Sequence, residues 1–465
     1  MRLEQALHRL RVLRLKMGDG GENGQVSVGR LCLWGVTVNL IFLMADSLRK
    51  DHLGCYGNRW ISTPHIDHVA RDSVVFDEAY AESLPTLPVR NVLLSGRHCG
   101  PELAWGPMRD SDVRLPEVLA DVGYQTALVS DVYHMMKPGM NFHRGFHTWL
   151  WIRGQGQDAY RTSPNPNAPV PETYCLQYDK RLLQFCKNVA GFAVEEDYFT
   201  ARVYGTAMKW IERNWRNGPF FLWLDSFDPH EPWYPPYHYS DMYDPDYEGV
   251  EPIGLAYGKL SPDFSDRQLK RMRAHYAGEV TFLDRWVGKL VELLGDLGIY
   301  QDTLLVLMSD HGHMLGEHDL VGKGWETSGY REVMDLTLIV HFPGDESAGT
   351  RVGCLCYNID LIPTVLSHLG VTTPQALDGI DLHDAIKRES TIFRQCVTCS
   401  FSRLNMMVKT MNWTMLYDQG HEPIALFDRL NDPQEESDVR MSNATVIHEL
   451  QRLESEDWAN RPPKR

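Results

Sequence analysis

Positive charge is in deficit in this chain. Its 46 Lys and Arg residues face 62 Asp and Glu residues, for a formal charge of −16. Nucleic acids are bound through a basic footprint on the protein, so no nucleic-acid partner is expected. A long apolar run is missing too. The candidate stretch, Leu31 to Met44, is too short for a transmembrane helix. No small-residue cleavage site follows it, so neither a membrane span nor secretion is expected. There is no internal repeat and no low-complexity tract, which excludes solenoid and fibrous architectures. An apolar content of 43% and a charged content of 23% are ordinary for a globular chain and exclude a wholly disordered one. Cysteine shows no paired framework. Nine residues are scattered from Cys32 to Cys399, an odd number without disulfide-scaffold spacing. Cys396 and Cys399 form a C-x-x-C pair, but no second pair completes a zinc knuckle, so they read as ordinary buried thiols. Reduced cysteines imply a cytoplasmic location.

What is present is an alternation of buried strands and helices. Residues 1–36 read as a flexible N-terminal extension: a basic segment with Leu3, Leu7, Leu10 and Met17, then a Gly-rich linker. After it come five near-continuous apolar runs of strand length: Val38–Met44, Gln125–Ser130, Phe220–Leu224, Thr303–Met308 and Leu336–Phe342. Such runs suit strands covered on both faces. Helical patterns lie between them at Leu115–Val122, Val194–Asn214 and Arg267–Leu297. The alternation predicts an α/β fold with a mostly parallel sheet sandwiched by helices over residues 37–369. Shorter segments follow, at Asn405–Lys409, Trp413–Tyr417 and Ala425–Asp428. They predict a small α+β subdomain with antiparallel strands over residues 370–465.

Ligands of open α/β sheets bind beyond the C-terminal ends of the strands, and polar residues gather there. Asp46 follows the first run; Asp310 and His311 follow the fourth. Two carboxylates and an imidazole are a plausible ligand set for a divalent metal. Thr86 lies between two prolines, just before a helix predicted to start near Pro88, and Arg90 comes one turn into it. A hydroxyl, a helix N-terminus and an Arg together make a cradle for a tetrahedral oxyanion.

These segments resemble the sulfatase family of the alkaline phosphatase superfamily. The resemblance rests on Asn39–Asp46 with Asp51–Gly57, Thr63–Asp67, Phe76–Tyr80, Thr86–Arg90 with Leu94–Arg97, and His230-Glu-Pro232. Ser309–Gly312, Gly316–His318, Gly322-Lys323, Asp360–Thr364, Leu426–Asp428 and Asn431–Pro433 continue it in family order to about residue 440. It implies a hydrolase of sulfate or phosphate esters. One divalent ion, Ca, Mn or Zn, would be held by Asp46, Thr86, Asp310 and His311. Arg90 would clamp the nucleophile loop, and Lys323 and His230 would bind the anionic oxygens, with His230 as a candidate general acid. Ser47 and His318 are candidate substrate contacts, and His313 is a weaker one.

Two departures from the family pattern bear on chemistry. Ser47 stands where the family usually carries a second acid, which implies a sparser metal shell. Thr86 stands where sulfatases carry the Cys or Ser that becomes formylglycine, and Val89 replaces the Ser of the modification motif. No formylglycine is therefore expected, and Thr86 becomes a candidate direct, metal-bound nucleophile with a covalent intermediate. A phospho-threonine can be opened by water at phosphorus, whereas a sulfo-threonine has no elimination route. Phosphate or phosphonate esters are therefore favoured chemically. The alternatives are an ordinary sulfuric ester hydrolase, a soluble phosphotransferase, and a non-catalytic anion-binding homologue. The expected partner is a small-molecule, carbohydrate or aryl ester, and a homo-oligomer is a further possibility. Trp149, Trp151, Trp233, Tyr234, Tyr237, Tyr239 and Trp325 are candidates to stack on its leaving group.

Overall fold

The computed structural model describes residues 38–99, 105–162, 168–344, 347–387, 394–401 and 404–461. The expected N-terminal extension lies outside the described residues. Nine strands before residue 360 matter here: β1 (Asn39–Ala45), β2 (Val74–Phe76), β3 (Ser83–Leu84), β4 (Gln125–Ser130), β5 (Thr148–Trp151), β6 (Phe220–Ser226), β7 (Thr303–Ser309), β8 (Leu338–His341) and β9 (Arg351–Val352). Eight of them form one sheet in the order β9-β2-β8-β7-β1-β6-β4-β5. The run β7-β1-β6-β4-β5 is parallel. β8 enters antiparallel to both β7 and β2.

The period-two side-chain alternation of a strand explains why β1 is apolar throughout. Leu40, Phe42 and Met44 point into one core, and Ile41, Leu43 and Ala45 into the other. On the first face pack α2 (Thr86–Ser95) and α3 (Leu115–Asp121), through residues such as Val89, Leu93 and Leu119. On the second pack α1 (Pro64–Arg71), α4 (Phe199–Asn214) and α5 (Asp266–Asp296), through Ile66, Val203, Ile211, Met272 and Leu290. Ser265 starts α5 with a capping box, its hydroxyl accepting from the Gln268 N–H. Helix α2 begins at Thr86 itself, two residues before the expected start at Pro88.

Register sets the site. Ala45 of β1 is level with Ser226 of β6 and with Ser309 of β7. Asp46, Asp225 and Asp310 therefore emerge side by side at one edge of three adjacent strands.

The C-terminal region carries β10 (Val397–Phe401), β11 (Leu404–Lys409), β12 (Trp413–Tyr417) and β13 (Pro423–Asp428), then α6 (Ala444–Asn460). Its sheet has the order β13-β12-β11-β10-β3. The antiparallel strands are those the sequence implied, except β10, which its Cys and Ser content obscured. The edge strand β3 belongs to the preceding region: Ser83 pairs with Ser400 and Leu84 with Phe401. The segment that leads into Thr86 is thus a strand of the C-terminal sheet. Cys396 and Cys399 face different clusters and bond separate carbonyls, so they form no site.

Lys409 on β11 ties the two regions together. It is buried, donates to Asp335 at 3.0 Å and lies 3.5 Å from Glu435. Burial opposes the charge of Asp335, yet Lys409 and Lys50 hold its carboxyl well below the usual range. Lys409→Met should cost about 3 kcal/mol in urea unfolding, because it takes the nearest counter-charge from a buried carboxylate and leaves it Lys50 at 3.3 Å and the more distant Arg331 and Arg429. The deficit should narrow as the pH falls and Asp335 takes up a proton.

Candidate active site and metal centre

The turn after β1 places Asp46 and Ser47. Ser47 adopts a left-handed backbone (φ 63°), and Tyr276 anchors it by donating to its carbonyl at 2.7 Å. Its N–H donates to Asp310 Oδ1 at 3.0 Å, and its hydroxyl donates to Asp46 Oδ1 at 2.8 Å. Lys323 Nζ donates to the same hydroxyl at 2.9 Å. Ser47 thus joins the two strand-end acids to the active-site lysine.

Arg90 lies behind them, fully buried on α2. Its Nε and Nη2 donate to Asp225 at 3.1 and 2.7 Å, and Nη2 is 3.2 Å from Asp46. Nη1 donates to Asp310 and, at 3.2 Å, to the Thr86 carbonyl. Burial works against this charge, but Asp225, Asp310 and Asp46 hold the guanidinium protonated. Asp225 was visible in the sequence as the end of a strand, but nothing marked it as the partner of Arg90.

Asp46, Asp310 and His311 are fully buried, and each offers a ligand atom within 4.8 Å of the others. His311 Nδ1 donates to the Gly312 carbonyl at 2.9 Å, so its lone pair sits on Nε2. That nitrogen faces Asp310 at 3.4 Å and Asp46 at 3.9 Å. Asp46 Oδ2 accepts no hydrogen bond among the described residues. Beyond the ion pairs with Arg90, two carboxylates and an imidazole lone pair turned toward one another would be relieved by a further cation between them, so the donor set fits a divalent ion. Thr86 Oγ1 lies 3.5 Å from His311 Nε2, at the same point. Burial and the neighbouring Asp310 push the Asp46 carboxyl up. Burial works the same way on Asp310, but the Arg90 guanidinium and the hydrogen bond from the Ser47 N–H outweigh it and keep that carboxyl low. Burial lowers His311 to about 4, so its imidazole is neutral at ordinary pH.

A cleft of about 270 Å³ opens from Thr86. His230, Glu231 and Lys323 line it. Lys323 Nζ donates to Glu231 at 3.0 Å, and the Tyr257 hydroxyl donates to the other carboxylate oxygen. Burial opposes the charge on Glu231, yet the cations Lys323 and Arg181 hold its carboxyl well below the usual range. His230 Nδ1 donates to the Glu231 carbonyl, and burial holds its ring neutral.

A family model described as Sulfatase matches residues 38–371. The chain belongs to the sulfatase family. With that family goes the hydrolysis of ester bonds. A second model, N-sulphoglucosamine sulphohydrolase, C-terminal, matches residues 316–456. An arylsulfatase of Clostridium perfringens is 24% identical, covering 77% of this chain and 80% of its own. The multifunctional alkaline phosphatase superfamily protein PehA of Trinickia caryophylli is 26% identical, covering 74% and 76%. The phosphonate monoester hydrolase of Agrobacterium radiobacter shares the fold, with a TM-score of 0.71 at 20% identity over 90% of this chain and 96% of that one.

Within this sulfatase-family site, Asp46, Ser47, Thr86, Arg90, His230, Asp310, His311 and Lys323 converge, and His318 does not. Its ring stacks on Tyr330 at 4.3 Å, in a turn that does not line the cleft. His313 is buried, 3.2 Å from Glu231. The aromatic candidates are also displaced. Trp233 is fully buried, with its indole N–H on the Pro229 carbonyl, and none of the seven lines the cleft. The aromatic wall is built instead by Trp105, Tyr133, Phe227, Tyr257 and Phe401. They come from separate segments, so no local spacing marked them.

Divalent-ion binding should be accompanied by proton release from Asp46 and should tighten with rising pH, because the ion displaces the proton that burial favours there. His311 should contribute none above about pH 5, being neutral already. Calorimetry in two buffers of different ionisation enthalpy measures the proton count. Asp310→Asn should weaken the ion's stabilising effect on thermal unfolding.

Proposed function

We propose that the chain is a metal-dependent ester hydrolase in which the unmodified Thr86 hydroxyl attacks phosphorus in a phosphate or phosphonate ester. The observation that carries this reading is the position of Thr86. Its hydroxyl lies at the first residue of α2, buried, beside His311 and open to the cleft that Lys323 lines. A bound divalent ion would lower the pKa of that hydroxyl and balance charge on the ester.

Thr86 Oγ gives up its proton to solvent and forms a bond to phosphorus as the bond to the leaving alcohol breaks; Oγ is reprotonated when water later releases it. Lys323 and the N-terminal N–H groups of α2 bind the non-bridging oxygens. The leaving oxygen takes a proton from His230, whose protonation the arriving anion favours. Neutral His230 then removes a proton from water, which attacks phosphorus and releases Thr86. Arg90 holds the Thr86 carbonyl and the three acids in place throughout. Ser47 holds Lys323 toward the anion.

The second reading is sulfate ester hydrolysis, supported by the names of the relatives. It requires water to displace Thr86 at sulfur, since a hydroxyl without a second oxygen on the same carbon cannot eliminate sulfate. We place this chemistry in the cytoplasm, where the buried thiols would remain reduced.

Thr86→Ala should lower turnover by at least about 10³-fold, the scale of losing a nucleophile. Peptide mass spectrometry of the quenched wild-type enzyme should show a phosphoryl adduct on Thr86. A sulfuryl adduct, or sulfate release alone, would favour the second reading. His230→Ala should slow esters of poor leaving alcohols by about 10²-fold or more and nitrophenyl esters far less.

A further inference from the structure

Arg181 lies outside every motif of the family, yet its guanidinium lines the same cleft as Thr86 and Lys323. It stands in the turn between the helices Glu172–Tyr178 and Leu182–Val189. That turn is tightly held. Asp179 accepts from the Arg181 N–H at 2.9 Å, Leu182 N–H donates to the Asp179 carbonyl at 3.0 Å, and Ala256 N–H donates to the Tyr178 carbonyl at 3.2 Å.

The side chain is held as firmly as the turn. Nε donates to both Asp179 oxygens at 3.0 and 2.8 Å, and Nη2 is 2.7 Å from that carboxylate. The guanidinium plane covers the Tyr257 ring at 4.5 Å. Tyr257 in turn donates to Glu231, the partner of Lys323. Asp179 backs the guanidinium from inside, with its side chain 7% exposed against 42% for Arg181. Nη1 has no hydrogen-bond partner among the described residues. A planar, rigidly aimed fork with one free edge is suited to a carboxylate or another oxyanion.

The rest of this wall is apolar. Trp105, Tyr133 and Phe401 face the cleft, and His134 lies among them with its ring 5.0 Å from Trp105 and 3.9 Å from Tyr133. Burial lowers His134 to about 3, so it adds a neutral ring and no charge. Lys323 and Thr86 account for the ester group itself. A second cation in the same cleft has no part in that chemistry.

We propose that Arg181 is a specificity residue that binds a second anionic group carried by the leaving alcohol, so that the preferred substrate is an ester of a ring bearing a carboxylate or similar oxyanion. The proposal rests on the ester-hydrolase reading for its substrate, and binding of the product alcohol tests it without turnover. Product binding would be measured by calorimetry on the metal-loaded enzyme with 4-hydroxybenzoate and with phenol. Turnover would be measured with the matched 4-carboxyphenyl and phenyl phosphates and sulfates.

The wild type should bind 4-hydroxybenzoate more tightly than phenol. Arg181→Ala should cut that preference, and the matching kcat/KM ratio, by about 10–100-fold, the scale of a lost charge-assisted hydrogen bond. Arg181→Lys should restore only part of it, because an ammonium lacks the fork. A wild type that does not distinguish the two alcohols would overturn the proposal, as would an Arg181→Ala enzyme that keeps the preference. Selective binding without turnover of any ester would instead count against the hydrolase reading and leave the anion site standing.

Discussion

The arrangement around Arg90 is the constraint on which the site depends. One guanidinium, excluded from water, reaches Asp46, Asp225 and Asp310 on three adjacent strands and the Thr86 carbonyl on its own helix. Three carboxylates at this spacing repel one another, and burial magnifies the repulsion. A single charge with five donors in one plane relieves it and also fixes the geometry. The helix that carries Thr86 is thereby fastened to the sheet that carries Asp46 and Asp310. Any displacement of α2 would leave buried carboxylates without a counter-charge.

The second layer of the site is Glu231. It sits among Lys323, His230, His313 and Tyr257, and it holds the lysine at the height of Ser47. Where the family commonly has a second acid after the first strand, this chain has a hydroxyl that accepts from Lys323 and donates to Asp46. The candidate metal site then offers two carboxylates and one imidazole.

The sheet and its order of burial were legible because a strand covered on both faces must be apolar at nearly every position. β1, β4, β6 and β7 fall within two residues of their apolar runs. The acids at their ends were legible for a related reason, since an acid directly after such a run marks where the apolar strand stops. Asp225 was equally visible but uninterpretable, because its meaning lies in Arg90, 135 residues away. Glu231 was hidden inside His230-Glu-Pro232, where the flanking residues carried the resemblance. His318 was misleading for the opposite reason: it lies in a family motif, yet its left-handed turn (φ 54°) carries it onto Tyr330. The aromatic candidates failed because richness in Trp and Tyr near a loop says nothing about which face of the loop is wet.

The amino-acid sequence by itself determined the layered α/β core, the strand-end acids, and a threonine in place of the cysteine needed for formylglycine. Each of these is a property of residue type and local period. Only the tertiary structure decided that β3 joins the C-terminal sheet, that Lys409 links the two regions, and that Asp225 and Glu231 complete the site. It alone assembled the cleft wall from Trp105, Tyr133, Arg181, Tyr257 and Phe401. Those are pairings across long separations. Hydrogen bonds and ion pairs depend on which side chains the packed sheet brings within about 3 Å, and no local pattern records that distance.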